Sequence, residues 1–236
     1  MDDHKLSKRA YIDHKTGEKT SVFLYRDKPC PDIELTSPLA RRYGGYSLIR
    51  IDLLDAQEWL KRAHDLVPDR ERRTVARTES EPDRYFLSED RPTFRLIKSL
   101  WYSAIVLYGK CYASAEGRKV KLERSNLPNE YLEVHDKVIT FRNTIVAHAG
   151  ETAHESAKVK LVLSPNPKTD KLWLRADISR LHFEDDRDDP FSFAHLVDRA
   201  LENVDRKIEE LRTRLLEKEV FPLGKEHWYK KARGRD

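Results

Sequence analysis

Apolar residues return at three- and four-residue steps in four stretches of this chain, the period of a helix with one buried face. Leu53, Ala56, Leu60, Ala63 and Val67 form the first seam. It predicts a helix over about 52–67, with Asp52 as N-cap, Asp55 three residues on, and Pro68 just beyond its end. A second stretch, 91–115, opens on Pro92 and carries two stripes: Phe94, Ile97, Trp101, Ala104, Tyr108 and Cys111, and then Leu96, Leu100 and Leu107. A helix apolar on two sides belongs inside a bundle. The third, 129–149, places Val134, Val138, Phe141 and Ile145 on one face, with Asn129 as cap and Gly150 as stop. The fourth, 190–219, starts from Asp189-Pro190 and repeats Phe193, Val197, Ala200, Val204, Leu211 and Leu215.

Between the third and fourth helices the period changes from helical to alternating. Val159, Leu161 and Leu163 alternate with Lys160 and Val162; Pro165-Asn166-Pro167 supplies a turn, and Leu172-Trp173-Leu174 resumes the extended pattern. This predicts a β-hairpin at about 158–175, whose edge either covers the helices or pairs with a partner strand. Residues 1–50 are weakly patterned. A short hairpin around HKTGEK is expected there, followed by a looped cover through Pro29, Pro31, Pro38 and Gly44-Gly45, with no phosphate-loop pattern after the glycines. The expected organisation is one mainly α domain: an irregular cover over 1–50, a four-helix bundle with an inserted hairpin over 51–220, and a basic tail over 221–236.

Composition agrees with helices that have solvated outer faces, since charged residues make up 36% and the apolar set 39% of the 236 residues. A net charge of +4 permits an anionic partner without requiring one. Cys30 and Cys111 do not make a disulfide framework, and neither an apolar run of membrane-spanning length nor a secretory signal is visible. The expectation is a soluble, cytoplasmic protein that does not enter a membrane.

The chemistry concentrates in RNTIVAH, residues 142–148. Arg142 and His148 stand six steps apart, about 120° around a helix and about 9 Å along it, so one helix cannot aim both at one atom. A second surface or a second copy must complete any site. Arginine and histidine also recur at Arg9/His14 and Arg175/His182, but there the arginine is followed by alanine and no buried helix surrounds the pair. At Arg142 the polar neighbour Asn143, the apolar stripe and the Ala147-His148 end coincide.

This string resembles the signature of the HEPN superfamily: an arginine, a polar residue that is often asparagine, a few further residues, and a histidine near the end of a helix in a helical bundle. The resemblance implies a HEPN-like bundle and a metal-independent endoribonuclease site formed across a homodimer. It also implies a setting such as toxin–antitoxin, abortive infection or phage defence, with RNA as substrate and a cognate antitoxin as partner. Arg142, Asn143 and His148 are the candidate catalytic residues. His148 suits a general base or acid because imidazole titrates near neutrality. Arg142 suits the scissile phosphate through its forked guanidinium, and Asn143 would orient phosphate or imidazole.

Candidate RNA contacts are Arg70, Arg72 and Arg73 in the locally basic DRERRTVAR, and Lys110 beside the second helix stripe; without interleaved aromatics such contacts carry no base readout. The same basic stretch also fits a solvated loop, and Lys110 also fits simple packing of its helix. His64, beside the first seam, fits a packed core-edge histidine. The tail, with Trp228 and Tyr229 among lysines, fits a disordered terminus or a nucleic-acid-touching arm. Glu151 and His154 have the spacing of half a carboxylate di-metal site, but the second pair such a site needs is missing, so no metal or other cofactor is expected. Two alternatives stay open beside the nuclease: a non-catalytic helical RNA-binding or regulatory interaction protein, and a metal-dependent hydrolase using His148, Glu151 and His154.

Overall fold

A computed structural model describes residues 6–12, 14–66, 91–114, 117–146, 155–166, 171–180 and 189–233. The chain is mainly helical with a small two-sheet β component. In order come strands β1 (Leu6–Ile12), β2 (Lys19–Tyr25) and β3 (Lys28–Pro29), helices α1 (Pro38–Asp65), α2 (Arg91–Tyr112) and α3 (Leu132–Phe141), strands β4 (Glu155–Leu163) and β5 (Leu172–Arg180), and helices α4 (Phe193–Leu215) and α5 (Gly224–Arg233). Two compact units divide these elements, residues 1–44 with 208–236 and residues 45–207, so the divisions fall inside α1 and α4.

In the first unit β1 and β2 pair antiparallel from Leu6/Tyr25 to Ile12/Lys19, with Gly17 at φ 73° in the connecting turn. This is the hairpin expected around HKTGEK. The tighter return into β3 sets Arg26 at φ 48° and Asp27 at φ 61°, the left-handed pair that a two-residue hairpin loop requires. The expected tail is helical through Arg233. Glu226 lies in its first turn and Lys230, Lys231 and Arg233 in its last, the charge order a helix dipole favours. Trp228 Nε1 donates to the Val220 carbonyl at 2.9 Å.

The start of α1 corrects the expectation most. The helix begins at Pro38, not at Asp52, because Ser37 Oγ accepts the Ala40 N–H at 3.0 Å and proline takes the first helical position. Asp52 is therefore a buried residue of the helix interior. Gly44 and Gly45 lie inside the helix rather than in a loop. A Cβ on Gly45 would stand 2.3 Å from the Arg118 carbonyl oxygen, so glycine is what lets the segment after α2 lie against α1. His64 is exposed, not a packed core-edge residue.

In the second unit Arg50 Nε meets Asp205 Oδ1 at 2.6 Å and Gln57 Nε2 donates to Asp198 Oδ1 at 2.7 Å. One index rises as the other falls, so α1 and α4 run antiparallel. Ile49, Leu53, Ala56 and Leu60 of α1, Ala104, Ile105 and Tyr108 of α2, and Phe193, Leu196, Val197 and Val204 of α4 are buried. Trp101 packs edge-on against Phe141 at 5.4 Å and against Phe193 at 6.1 Å, tying α2 to α3 and α4. The hairpin β4–β5 holds an unbroken antiparallel register from Glu155/Arg180 to Leu163/Leu172, longer than the expected 158–175 at both ends.

Candidate functional site

The segment leading to Arg142 starts without a side-chain cap. Asn129–Tyr131 form one tight turn behind Pro128, and α3 follows with no side chain bonding its first amides, so Asn129 is not the expected cap. The buried stripe is also rotated from the expected one. Tyr131, His135 and Val138 are buried, whereas Val134 and Phe141 are half-buried. Steps of four, three and four residues then bring Arg142 onto that same stripe. The pattern of apolar letters misleads here because a histidine occupies a core position, and a polar group can do so where it is hydrogen-bonded.

Tyr108 supplies that bond. Its hydroxyl lies 2.7 Å from His135 Nδ1, and Tyr112 covers the imidazole with ring centroids 4.5 Å apart. Burial pushes the His135 pKa below its ordinary value and raises those of Tyr108 and Tyr112, so all three favour their neutral forms. Asp136 opposes the shift on His135, and Arg124, held by two bonds of 2.8 and 2.7 Å to Asp136, adds to it.

About two turns beyond His135 the helix widens. Residues Arg142–Val146 form a π turn, with the Arg142 N–H shared between the Val138 and Ile139 carbonyls and Thr144 Oγ1 donating back to Thr140 O at 2.8 Å. Arg142 lies along α2 where Gly109 has no side chain: a Cβ there would be 3.0 Å from Arg142 Cδ and 3.3 Å from Nε. The guanidinium reaches forward from that groove, and Nη1 donates to Asn143 Oδ1 at 3.0 Å. Arg142 is half-buried and Asn143 exposed, which leaves a forked cation with solvent access at the end of a packed helix.

The arrangement brings Arg142 and Asn143 together as a unit. Lys110 is directed elsewhere: its Nζ lies 3.2 Å from Asp52 Oδ1 on α1, where Arg118 also bonds Asp52. His148, Arg70, Arg72, Arg73, Glu151 and His154 lie outside the described residues. Among the described residues no group of three or more His, Cys, Asp or Glu side chains could hold a metal ion, and no helix is long and apolar enough to cross a membrane. Gly109 and His135 are neighbours of this segment that sequence reasoning missed, whereas Tyr108 was already placed on the apolar stripe of the second helix. The available signal was a glycine inside an otherwise apolar helical pattern, which marks a close approach.

Compared with known proteins, the chain matches no family model, no curated protein and no solved structure.

Proposed function

We propose that this chain is a metal-independent endoribonuclease of the HEPN type, acting on RNA as a homodimer, with the character of a toxin or defence nuclease restrained by a cognate antitoxin in the cytoplasm. The observation that supports it is the placement of Arg142. Its stem is seated against Gly109 in the π turn, and among the described residues its side-chain hydrogen bond goes to the neutral amide of Asn143. A cation so held, with a neutral partner, suits a phosphate diester better than an internal ion pair does.

RNA carries its own nucleophile, so the chemistry needs only a base and an anion-stabilising group. His148 removes the 2′-hydroxyl proton, the oxygen attacks the adjacent phosphorus, and the 5′-oxygen leaves with a proton from an acid. The products are a 2′,3′-cyclic phosphate and a 5′-hydroxyl. Arg142 neutralises the charge gathering on the phosphorane oxygens, and Asn143 holds the guanidinium in register. Two copies of the Arg142/His148 pair would meet near a two-fold axis.

The test is incubation of the purified chain with total RNA in excess chelator. Cleavage is expected, with losses of roughly 100-fold or more in Arg142→Ala and His148→Ala, and growth arrest on expression should be relieved by His148→Ala. RNA left intact at high protein concentration would retire the nuclease. Cleavage that appears only with added metal would point to a hydrolase instead. One observation favours the alternative of a non-catalytic interaction protein: the apolar face of β4–β5 is open to solvent.

A further inference from the structure

The register of β4–β5 sets most of its large apolar side chains on one face, with the Val162/Trp173 pair on the other. Val159, Leu161 and Leu163 of β4 share a face with Ala176, Leu174 and Leu172 of β5, while Lys158, Lys160, Trp173, Arg175 and Asp177 belong to the other. The five large apolar residues are between 60% and 71% exposed. A lone two-stranded ribbon is marginal in water, and a third or fourth strand along an apolar face is what gives a sheet its own stability. Either edge of this ribbon could take one.

We propose that β5 is a homodimer interface, pairing antiparallel with β5 of a second copy about a two-fold axis at Ala176 to make a four-stranded sheet in the order β4, β5, β5, β4. Charge selects this edge. Pairing about Ala176, the middle of Leu172–Arg180, aligns all nine positions and sets Arg175 of each copy opposite Asp177 of the other. Moving the axis one residue toward either end sets Arg175 against itself or Asp177 against itself. The corresponding pairing of β4 about Val159 sets Lys158 opposite Lys160, a like-charge contact that weakens a ladder, and exposed edge lysines are a common defence against strand addition.

The backbone has the required direction. The Ser164 N–H donates to the Lys171 carbonyl at 3.3 Å, which makes Leu163/Leu172 a widely spaced pair. Alternation down the ladder makes Val159/Ala176 another, so the N–H and C=O of Ala176 point away from β4 toward the incoming strand. The four-stranded sheet would gather Val159, Leu161, Leu163, Leu172 and Leu174 of both copies on one face, leaving Lys158, Lys160, Arg175 and Asp177 with the Val162/Trp173 pair on the other, and the two-fold closes the assembly without leaving a second β5 edge. The interface stands on the strand register and does not depend on the nuclease reading.

The experiment uses the full chain. Sedimentation equilibrium should find a dimer at concentrations on the order of 10 µM, and Arg175→Glu should weaken it roughly tenfold or more because symmetry counts the substitution twice. Arg175→Glu combined with Asp177→Arg should recover most of that loss. In a Cys30→Ser background, Ala176→Cys should cross-link to its copy on mild oxidation, since facing residues of a closely spaced pair lie about 5.5 Å apart, within disulfide reach. Val159→Cys should not. A wild-type chain monomeric throughout this range, a dimer indifferent to Arg175→Glu, or equal cross-linking at 159 and 176 would each overturn the interface. RNA cleavage is scored separately: an inert dimer that responds to Arg175→Glu removes the nuclease and keeps the interface, an active dimer indifferent to Arg175→Glu removes the interface and keeps the nuclease, and an active monomer removes both the interface and the two-copy site.

Discussion

Helix α2 meets polar groups on two sides, and the two arrangements resolve charge in opposite ways. Toward α1, Lys110 and the segment after α2 bring two cations to one buried carboxylate: Asp52 bonds both Arg118 and Lys110. Toward α3, the buried partners are neutral, Tyr108 with His135, and the nearby cation Arg142 is bonded to an amide. The first arrangement spends its charges on each other and serves the fold. The second leaves Arg142 half-buried and bonded to an amide, with no carboxylate bonded to it among the described residues, which is the feature behind the proposed phosphate contact.

Removing the carboxylate from the first arrangement gives the largest expected effect. Asp52→Ala leaves Arg118 buried, with only 11% of its side chain exposed, and without its counter-charge. Breaking a buried pair from one side costs about 3 kcal/mol or more, readable as a shift in the urea midpoint. Activity per folded molecule should hold, because Asp52 joins α1 to the far side of α2. A loss of RNA cleavage without a loss of stability would reverse the roles assigned to the two sides.

How far each side could be read from sequence differs for the same physical reason. The existence of α2, α3, α4 and both hairpins follows from local periodicity and turn residues. The start of α1 does not: Gly44 and Gly45 each cost a helix about 1 kcal/mol relative to alanine, which argues locally for a loop. The Gly45 contact with the Arg118 carbonyl, 73 positions away, is invisible in a local pattern. Arg142 and Asn143 were legible because they adjoin in a motif. Their seat was not, since Gly109 meets Arg142 only through a contact between two helices, and His135, bonded to Tyr108 across the same pair of helices, had to be found in the core before the stripe of α3 could be placed.

A smaller and more selective effect is expected from Gly109→Ala, which sharpens the contrast by touching only the second side. The added methyl group meets the Arg142 side chain at 3.0 Å rather than any backbone, so the guanidinium stem moves by a few tenths of an ångström. Alanine also gains about 1 kcal/mol of helix propensity over glycine, so the thermal midpoint should hold or rise. RNA cleavage should fall roughly tenfold through misplacement of the phosphate-binding fork. Gly45→Ala is the matched control, since its Cβ would strike the Arg118 carbonyl at 2.3 Å and destabilise the fold by about 1–3 kcal/mol through overpacking.

The smallest effect comes from proton binding, where the two sides part again. Burial holds the folded-state pKa of His135 below the ordinary 6.5, with Asp136 pulling it up and Arg124 pushing it down. As pH falls through 6.5, the unfolded chain binds this proton before the folded one does, so the contribution to stability is complete above 6.5 and is lost progressively toward the folded pKa. Denaturant midpoints measured from pH 8 to pH 5 should therefore decline on the acid side. In His135→Phe, which keeps a ring against Tyr108 and Tyr112 but has nothing to protonate, that part of the decline should disappear, and the difference from wild type should narrow as the pH is lowered. An unchanged pH profile in this variant would mean that His135 binds its proton equally well in the folded and unfolded chain, and that burial against Tyr108 and Tyr112 does not hold the imidazole neutral.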